Sequence, residues 1–262
     1  MLGYFRDTFT VFRKYYYLLK NLVQRDLKVK YRRSTLGFLW SFLNPILMML
    51  IMAAVFSYMF RFQIEYFAAY LLSAQLIFNF YNSATSTAMG SVVGNSALIK
   101  KVYIPKYIFP FEKVIFEFIN ALFAVVALFV VLLVTRVPFT PWILLFPIPL
   151  VLIFVFNLGV GLILSSLVVF FRDVQHLYGV VVVALNYLTP IFYPVSMLPG
   201  WMQFAIKFNP LYWYVGMFRQ VVLYGAAPTA NMWICCLFCS AAALLIGLLV
   251  FKAQQDKFIL YI

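Results

Sequence analysis

The side chains with chemistry to offer crowd into one place. Nine of the twenty Lys and Arg residues precede residue 34, and the series closes with Lys28, Lys30, Arg32 and Arg33. Ammonium and guanidinium groups make their strongest hydrogen bonds to ionised oxygen acceptors. Four such groups beside a charge-free apolar run, which starts at Leu36, suit the anionic headgroups of a membrane surface. Other reactive types are sparse. His176 is the only histidine, and the seven acidic residues are scattered, which argues against metal-hydrolysis and paired-carboxylate chemistry. Cys235, Cys236 and Cys239 share one apolar span with no His or carboxylate near them in sequence, so they read as small buried hydrophobes. Gly159-Val-Gly161 sits in an apolar span without a lysine, and no Gly-x-x-x-x-Gly-Lys-Ser/Thr run occurs. ATP hydrolysis by that phosphate-cradling route is therefore excluded. The sequence implies no metal and no cofactor.

Composition says what must position these groups. Of 262 residues, 66% are hydrophobic, 20% aromatic and only 10% charged, with a mean hydropathy of +0.98. A soluble domain of this length could not hide that much apolar surface, so the solvent is lipid. The net charge of +13 does not point to nucleic acid, because the cations gather at span ends and not along one solvated face. The charged first 33 residues do not resemble a cleavable signal peptide.

A crossing needs about 20 apolar residues, and six spans can be drawn, at roughly Leu36–Phe60, Tyr66–Gly90, Ile108–Val134, Trp142–Phe171, Leu177–Tyr193 and Met232–Phe251. Six crossings put both termini on one side. Fifteen Lys and Arg residues fall on that side, against Arg61, Arg136, Lys207 and Arg219 on the other, which makes the termini cytoplasmic. The expected architecture is an all-α polytopic membrane protein: an N-terminal element over residues 1–33 and a single six-span domain over 34–262. Phe5, Phe9, Phe12, Tyr16, Leu19, Val23 and Leu27 recur at steps of three and four, predicting an amphipathic helix lying in the cytoplasmic interface. Residues 194–231 carry too many aromatics for a solvated loop. Pro199-Gly200, Asn209-Pro210 and Gly225 divide them into short pieces, predicting a re-entrant pair of half-helices between the fifth and sixth spans.

Three features inside the spans stand out. Glu112 and Glu117, beside Lys113, are the only candidates for an ion relay, and a salt-bridge or packing role fits them as well. The second span is unusually polar, with Ser73, Gln75, Asn79, Asn82, Ser83, Thr85, Ser86 and Thr87. Such residues bond across helix contacts or face a polar path. After it, Asn95-Ser-Ala-Leu-Ile-Lys-Lys101 leads to Pro105, a short basic helix that suits either a solvated turn or the docking of a cytoplasmic partner.

The run Arg25–Pro45 (Arg-Asp-Leu-Lys-Val-Lys-Tyr-Arg-Arg-Ser-Thr-Leu-Gly-Phe-Leu-Trp-Ser-Phe-Leu-Asn-Pro) resembles the opening of the permease subunits of ABC-2-type polysaccharide exporters. These are the membrane halves of O-antigen, capsule and teichoic-acid ABC transporters. Asn95–Pro105 with Lys106-Tyr-Ile-Phe-Pro110 resembles their coupling segment, and Phe171-Arg-Asp-Val174 the turn after their fourth span. Thr189-Pro-Ile-Phe-Tyr-Pro194 and Asn209-Pro-Leu211 resemble their outer gate region. The resemblance runs in order along essentially the whole chain.

It implies a half-transporter of the cytoplasmic membrane that hydrolyses nothing itself. Two copies form a channel, two ATP-binding cassette subunits dock beneath, and a polysaccharide carried on a polyprenyl diphosphate lipid passes outward. In that frame Lys28, Lys30, Arg32 and Arg33 hold the lipid diphosphate or simply anchor to headgroups. Asn95, Ser96, Lys100 and Lys101 couple to the ATPase. Tyr58, Phe62, Tyr187, Phe192 and Tyr193 line the channel or belong to the lipid-facing aromatic belt. An ABC-2 exporter of small drugs or lipids is an alternative. A membrane enzyme of glycolipid assembly is another, though it needs clustered acidic residues that this chain lacks.

Overall fold

Prolines and glycines set most of the helix ends. The computed structural model describes residues 2–30, 36–60, 64–102 and 104–262, and side chains within them except at 2–14, 38, 41, 53 and 56–60. Among the described residues there are helices and turns but no strand. Helix α1 (Leu2–Lys30) leads through a short 3-10 turn (Gly37–Leu39) into α2 (Trp40–Phe60), which carries Pro45 in its interior. Helix α3 (Phe67–Met89) ends at Gly90, followed by the short α4 (Ser91–Gly94) and α5 (Ser96–Lys101). Helix α6 (Ile108–Val134) stops at Thr135, before Arg136 with φ 57°. A 3-10 turn from Pro141 feeds α7 (Pro147–Phe170), whose first residue is a proline, favoured there because its missing N–H has no intrahelical partner to lose.

Helix α8 (Val174–Leu188) is shorter than the span drawn from sequence. Thr189 precedes Pro190, and a residue before proline is pushed out of the helical region. Its 15 residues reach about 22 Å, less than the apolar thickness of a bilayer. Residues 194–229 contain α9 (Gly200–Ala205) and α10 (Pro210–Val222). Asn209 caps α10, its side-chain oxygen accepting from the Leu211 amide at 3.0 Å. Helix α11 (Ala230–Gln254) and a 3-10 turn (Gln255–Leu260) close the chain. Among the described residues, three helical stretches are long and apolar enough to cross a membrane: Ile108–Val134, Pro141–Phe170 and Ala230–Leu260.

Helix α3 is the hub, packed against α2, α6, α7 and α10, while α7 and α11 lie along one another for most of their length. The main apolar cluster joins Leu71, Leu72 and Ile77 of α3 to Leu128 and Leu132 of α6, Ile153 of α7, and Tyr214 and Phe218 of α10. A second cluster gathers at the end of the bundle where α1 lies, termed the basal end. It joins Leu19 and Leu22 of α1, Ile99 of α5, Ile108 and Phe109 of α6, Val169 of α7, Phe251 of α11 and Phe258. The opposite, distal end carries α10 and the turn 189–193.

Candidate functional site

The polar residues of α3 divide into two sets once their directions are known. Ser73 and Thr85 are buried and bond back onto their own helix, to the carbonyls of Tyr70 (2.8 Å) and Tyr81 (2.6 Å). Thr85 also shares a 2.5 Å hydrogen bond with the Tyr178 hydroxyl, tying α3 to α8. Thr87 donates to Ser83 O at 2.7 Å. Gln75, Asn79 and Ser83, four apart, face the other way, and Asn79 is exposed.

That second set lines a cavity of about 610 Å³ between α2, α3 and α6. Trp40, Asn44 and Met48 of α2, again four apart, close one side; Glu117, Asn120, Ala121 and Ala124 of α6 close another. The Asn120 side-chain amide donates to Glu117 at 3.1 Å. Lys30, the last residue of α1, also lines it, its ammonium 5.5 Å from the Phe116 ring centroid. Glu112 and Glu117 therefore do not act as a pair. Five residues turn a helix through about 140°, and Glu112 is buried on another side with its carboxylate 3.3 Å from Lys113.

At the distal end α10 holds the turn 189–193. Arg219 is buried and donates from Nη1 to Pro190 O (2.7 Å) and from Nη2 to Tyr70 O (2.9 Å) and Ile191 O (3.2 Å). Its guanidinium carbon lies 3.4 Å from the centroid of the Tyr70 ring. Asn209 donates to Thr189 Oγ1 at 2.9 Å, and Tyr70 Oη to Tyr193 O at 2.9 Å. Sequence inspection took Arg219 for an ordinary cation of the outer side and missed this knot.

At the basal end α1 is fastened to α6. Asp26 pairs with Lys113 and with Arg25, and Leu19, Leu22 and Val23 are buried beside it. Of the expected apolar stripe, Leu19 and Val23 are buried and Leu27 half-buried, but Tyr16 is half exposed, while Tyr15, Leu18 and Leu22 join the basal cluster. Phe5, Phe9 and Phe12 lie among the side chains not described. Burial raises the Asp26 carboxyl, but hydrogen bonds and charges from Lys113 and Arg25 outweigh that and hold it below the ordinary carboxylate range. A depressed folded value contributes stability above the unfolded pKa, which is lost as pH falls through the folded one. Docking of α1 is thus expected to be constant from pH 8 down to about 5 and to weaken only below about 4. Asp26→Asn and Lys113→Ala are each expected to speed amide exchange over residues 15–27. The double variant should be no faster than either single one, whereas additive effects would show that the two residues act separately.

The expected site residues fall into three groups. Lys28 and Lys30 are both exposed, but two residues apart on a helix they face nearly opposite sides. Lys28 lines an open recess with Asn21, Gln24 and Arg25, away from the cavity that Lys30 borders. Arg32, Arg33 and Phe62 lie outside the described residues, as does the side chain of Tyr58. On the second group, Asn95 stands between α4 and α5 and donates to Ser91 O at 2.8 Å, with Ser96 opening α5. Lys100 and Lys101 project from its last turn while Ile99 beneath them is buried. In the third, Tyr187 is exposed and its carbonyl accepts from Tyr193 Oη at 2.6 Å; Phe192 packs against the main apolar cluster.

The chain is similar to known transport proteins. The ABC-2 type transporter family matches residues 17–223. Over 246 residues the chain is 30% identical to the O-antigen export system permease protein RfbA of Klebsiella pneumoniae, spanning 92% of this chain and 93% of that one. It is 24% identical to the capsule polysaccharide export inner-membrane protein CtrC of Neisseria meningitidis serogroup A, with 87% and 88% covered. It is 21% identical to the polysialic acid transport protein KpsM of Escherichia coli, with 90% and 92% covered.

Proposed function

The chain belongs to the ABC-2 type transporter family, and from that premise we propose that it is the membrane permease of an ATP-driven exporter that moves a polyprenyl-diphosphate-linked polysaccharide across the cytoplasmic membrane. The observation that carries this reading is the end-to-end similarity to permeases named for O-antigen and capsule export. The geometry is consistent with it. Asn44 and Asn79 are exposed on α2 and α3, and polar side chains at membrane depth need a hydrated path or a partner. The cavity they line between α2, α3 and α6 supplies such a path.

In this reading the six spans place both termini in the cytoplasm, residues 1–33 lie in the interface, 34–262 form one transmembrane domain, and α9 with α10 re-enters from the outer side. Two ATP-binding subunits meet the basal end, where α1, α5, α6 and α11 share one buried cluster. A push on α5 is transmitted because Ile99 is locked into that cluster, while Lys100 and Lys101 stay free to meet an acidic surface. Lys28, Lys30, Arg32 and Arg33 take the lipid diphosphate, and Tyr58, Phe62, Tyr187, Phe192 and Tyr193 border the exit path.

Charge reversal by Lys100→Glu with Lys101→Glu is expected to cut copurification of the ATPase at least tenfold, about 1.4 kcal/mol, without lowering permease yield. Normal copurification would remove α5 from the docking surface. The function itself is tested in proteoliposomes holding the permease with or without its ATPase. Glycan should cross only when both proteins and ATP are present, and passage driven by the permease alone would refute the reading.

A further inference from the structure

The cavity between α2, α3 and α6 has a lining that ordinary helix packing does not explain. Three helices each contribute one stripe: Trp40 and Asn44 from α2, Gln75, Asn79 and Ser83 from α3, Glu117 and Asn120 from α6. Ala121 and Ala124 keep the middle open, since larger side chains there would fill it. The volume of about 610 Å³ falls in the range of pockets that enclose a whole small ligand, about 300–1,000 Å³.

The donors and acceptors narrow the occupant. A phosphate calls for several converging cations, yet among the described residues the lining holds one cation, Lys30, together with the Glu117 carboxylate. An apolar guest would dry the site and offer nothing to the polar groups of Asn44, Gln75, Asn79 and Ser83. A ring bearing many hydroxyls meets all the requirements together. Each primary amide both donates and accepts, a carboxylate accepts from neighbouring hydroxyls, and the exposed Trp40 ring offers a face for sugar C–H groups.

We infer that this cavity, within a single protomer, holds the first sugar rings of the cargo, those next to its lipid diphosphate. The inference rests on the exporter reading above and goes past it by giving the glycan a stopping place beside Lys30, separate from the exit path. Residues of α2 and α3 then discriminate a loaded carrier lipid from an empty one before any push arrives from the basal end.

The test titrates two probes into purified permease in nanodiscs by calorimetry: farnesyl diphosphate, and the same lipid bearing one N-acetylglucosamine. The sugar-bearing probe should bind about tenfold more tightly to the wild type. In Asn79→Ala with Asn120→Ala that preference should vanish, leaving both probes at the wild-type affinity for the bare diphosphate, which also shows that the variant is folded. If the double variant loses affinity for both probes, Ser83→Ala and Glu117→Gln serve singly, each expected to cut the preference about threefold. Equal binding of the two probes by the wild type, or a preference that survives all these substitutions, overturns the sugar site and leaves the exporter reading standing. No binding of either probe to the wild type overturns both the sugar site and the diphosphate-lipid assignment.

Discussion

Gly159→Ala is expected to lower the melting temperature by about 5–10 °C, whereas Gly179→Ala should leave it unchanged or raise it slightly. A Cβ on Gly159 would lie 2.2 Å from the backbone carbon of Ala243 and 2.4 Å from its oxygen, and a Cβ on Gly247 would lie 2.4 Å from Gly159 O. Helices α7 and α11 touch backbone to backbone at this crossing, and no side-chain rotation relieves the collision. The cost falls at or above the usual 1–3 kcal/mol of overpacking, roughly, because two helices must separate along their shared length. Close approach of this kind is how helices associate in lipid, where no hydrophobic drive joins them. Nearby, Ser240 donates to Leu152 O at 2.8 Å and shares a 2.6 Å bond with Tyr214, so the same crossing also ties in α10. Gly179 has open space around its missing side chain, so alanine there only improves helix propensity. Heating followed by gel filtration of the remaining folded protein would compare the two. Matching curves would mean that α7 and α11 do not meet as closely as described.

The sequence marked where elements begin and end better than where their faces point. Prolines at 141, 147 and 210 open helical turns and those at 105 and 199 stand just ahead of one, because proline suits a first turn and little else in a helix. Pro190 carried the same kind of signal for the end of α8, but the apolar run continuing to Tyr193 masked it. The polar character of α3 was plain. Which of its residues faced the cavity was not, since Gln75 and Thr85 differ only in the helix each one meets. Spacing alone could have separated Glu112 from Glu117, as five residues never share a helical face. The fastening of α1 was hidden for another reason. The apolar stripe counts only greasy residues, while the face that docks includes Asp26, held by a lysine 87 positions away. What stays illegible in a sequence is any bond to a backbone carbonyl, because every residue has one.

Arg219 is the clearest case of such a bond, and its replacement by lysine is expected to reduce export about tenfold and to cost about 2–4 kcal/mol of stability. Its acceptors are the carbonyls of Tyr70, Pro190 and Ile191, contributed by α3 and by the turn that follows α8. A planar guanidinium reaches all three at once while resting on the Tyr70 ring; a single ammonium on a flexible stem cannot. Hydrogen bonds from a charged donor contribute about 1.5–3 kcal/mol each, and leaving buried carbonyls unmet adds a penalty. Lysine also keeps a charge in a site from which water is excluded, so desolvation is not relieved as it would be with methionine. Arg219→Met should therefore be no less stable than Arg219→Lys, although both release the turn 189–193 from α10. Asn209 would still hold Thr189, so the turn should loosen at one end and not detach. Surface glycan measured against protein level in membranes separates the outcomes. Lysine at 219 exporting at the wild-type rate would show that charge alone suffices and that the fork is not what holds the distal turn. Loss of export in both variants, with protein still inserted, would tie the geometry of this one buried cation to passage of the polymer.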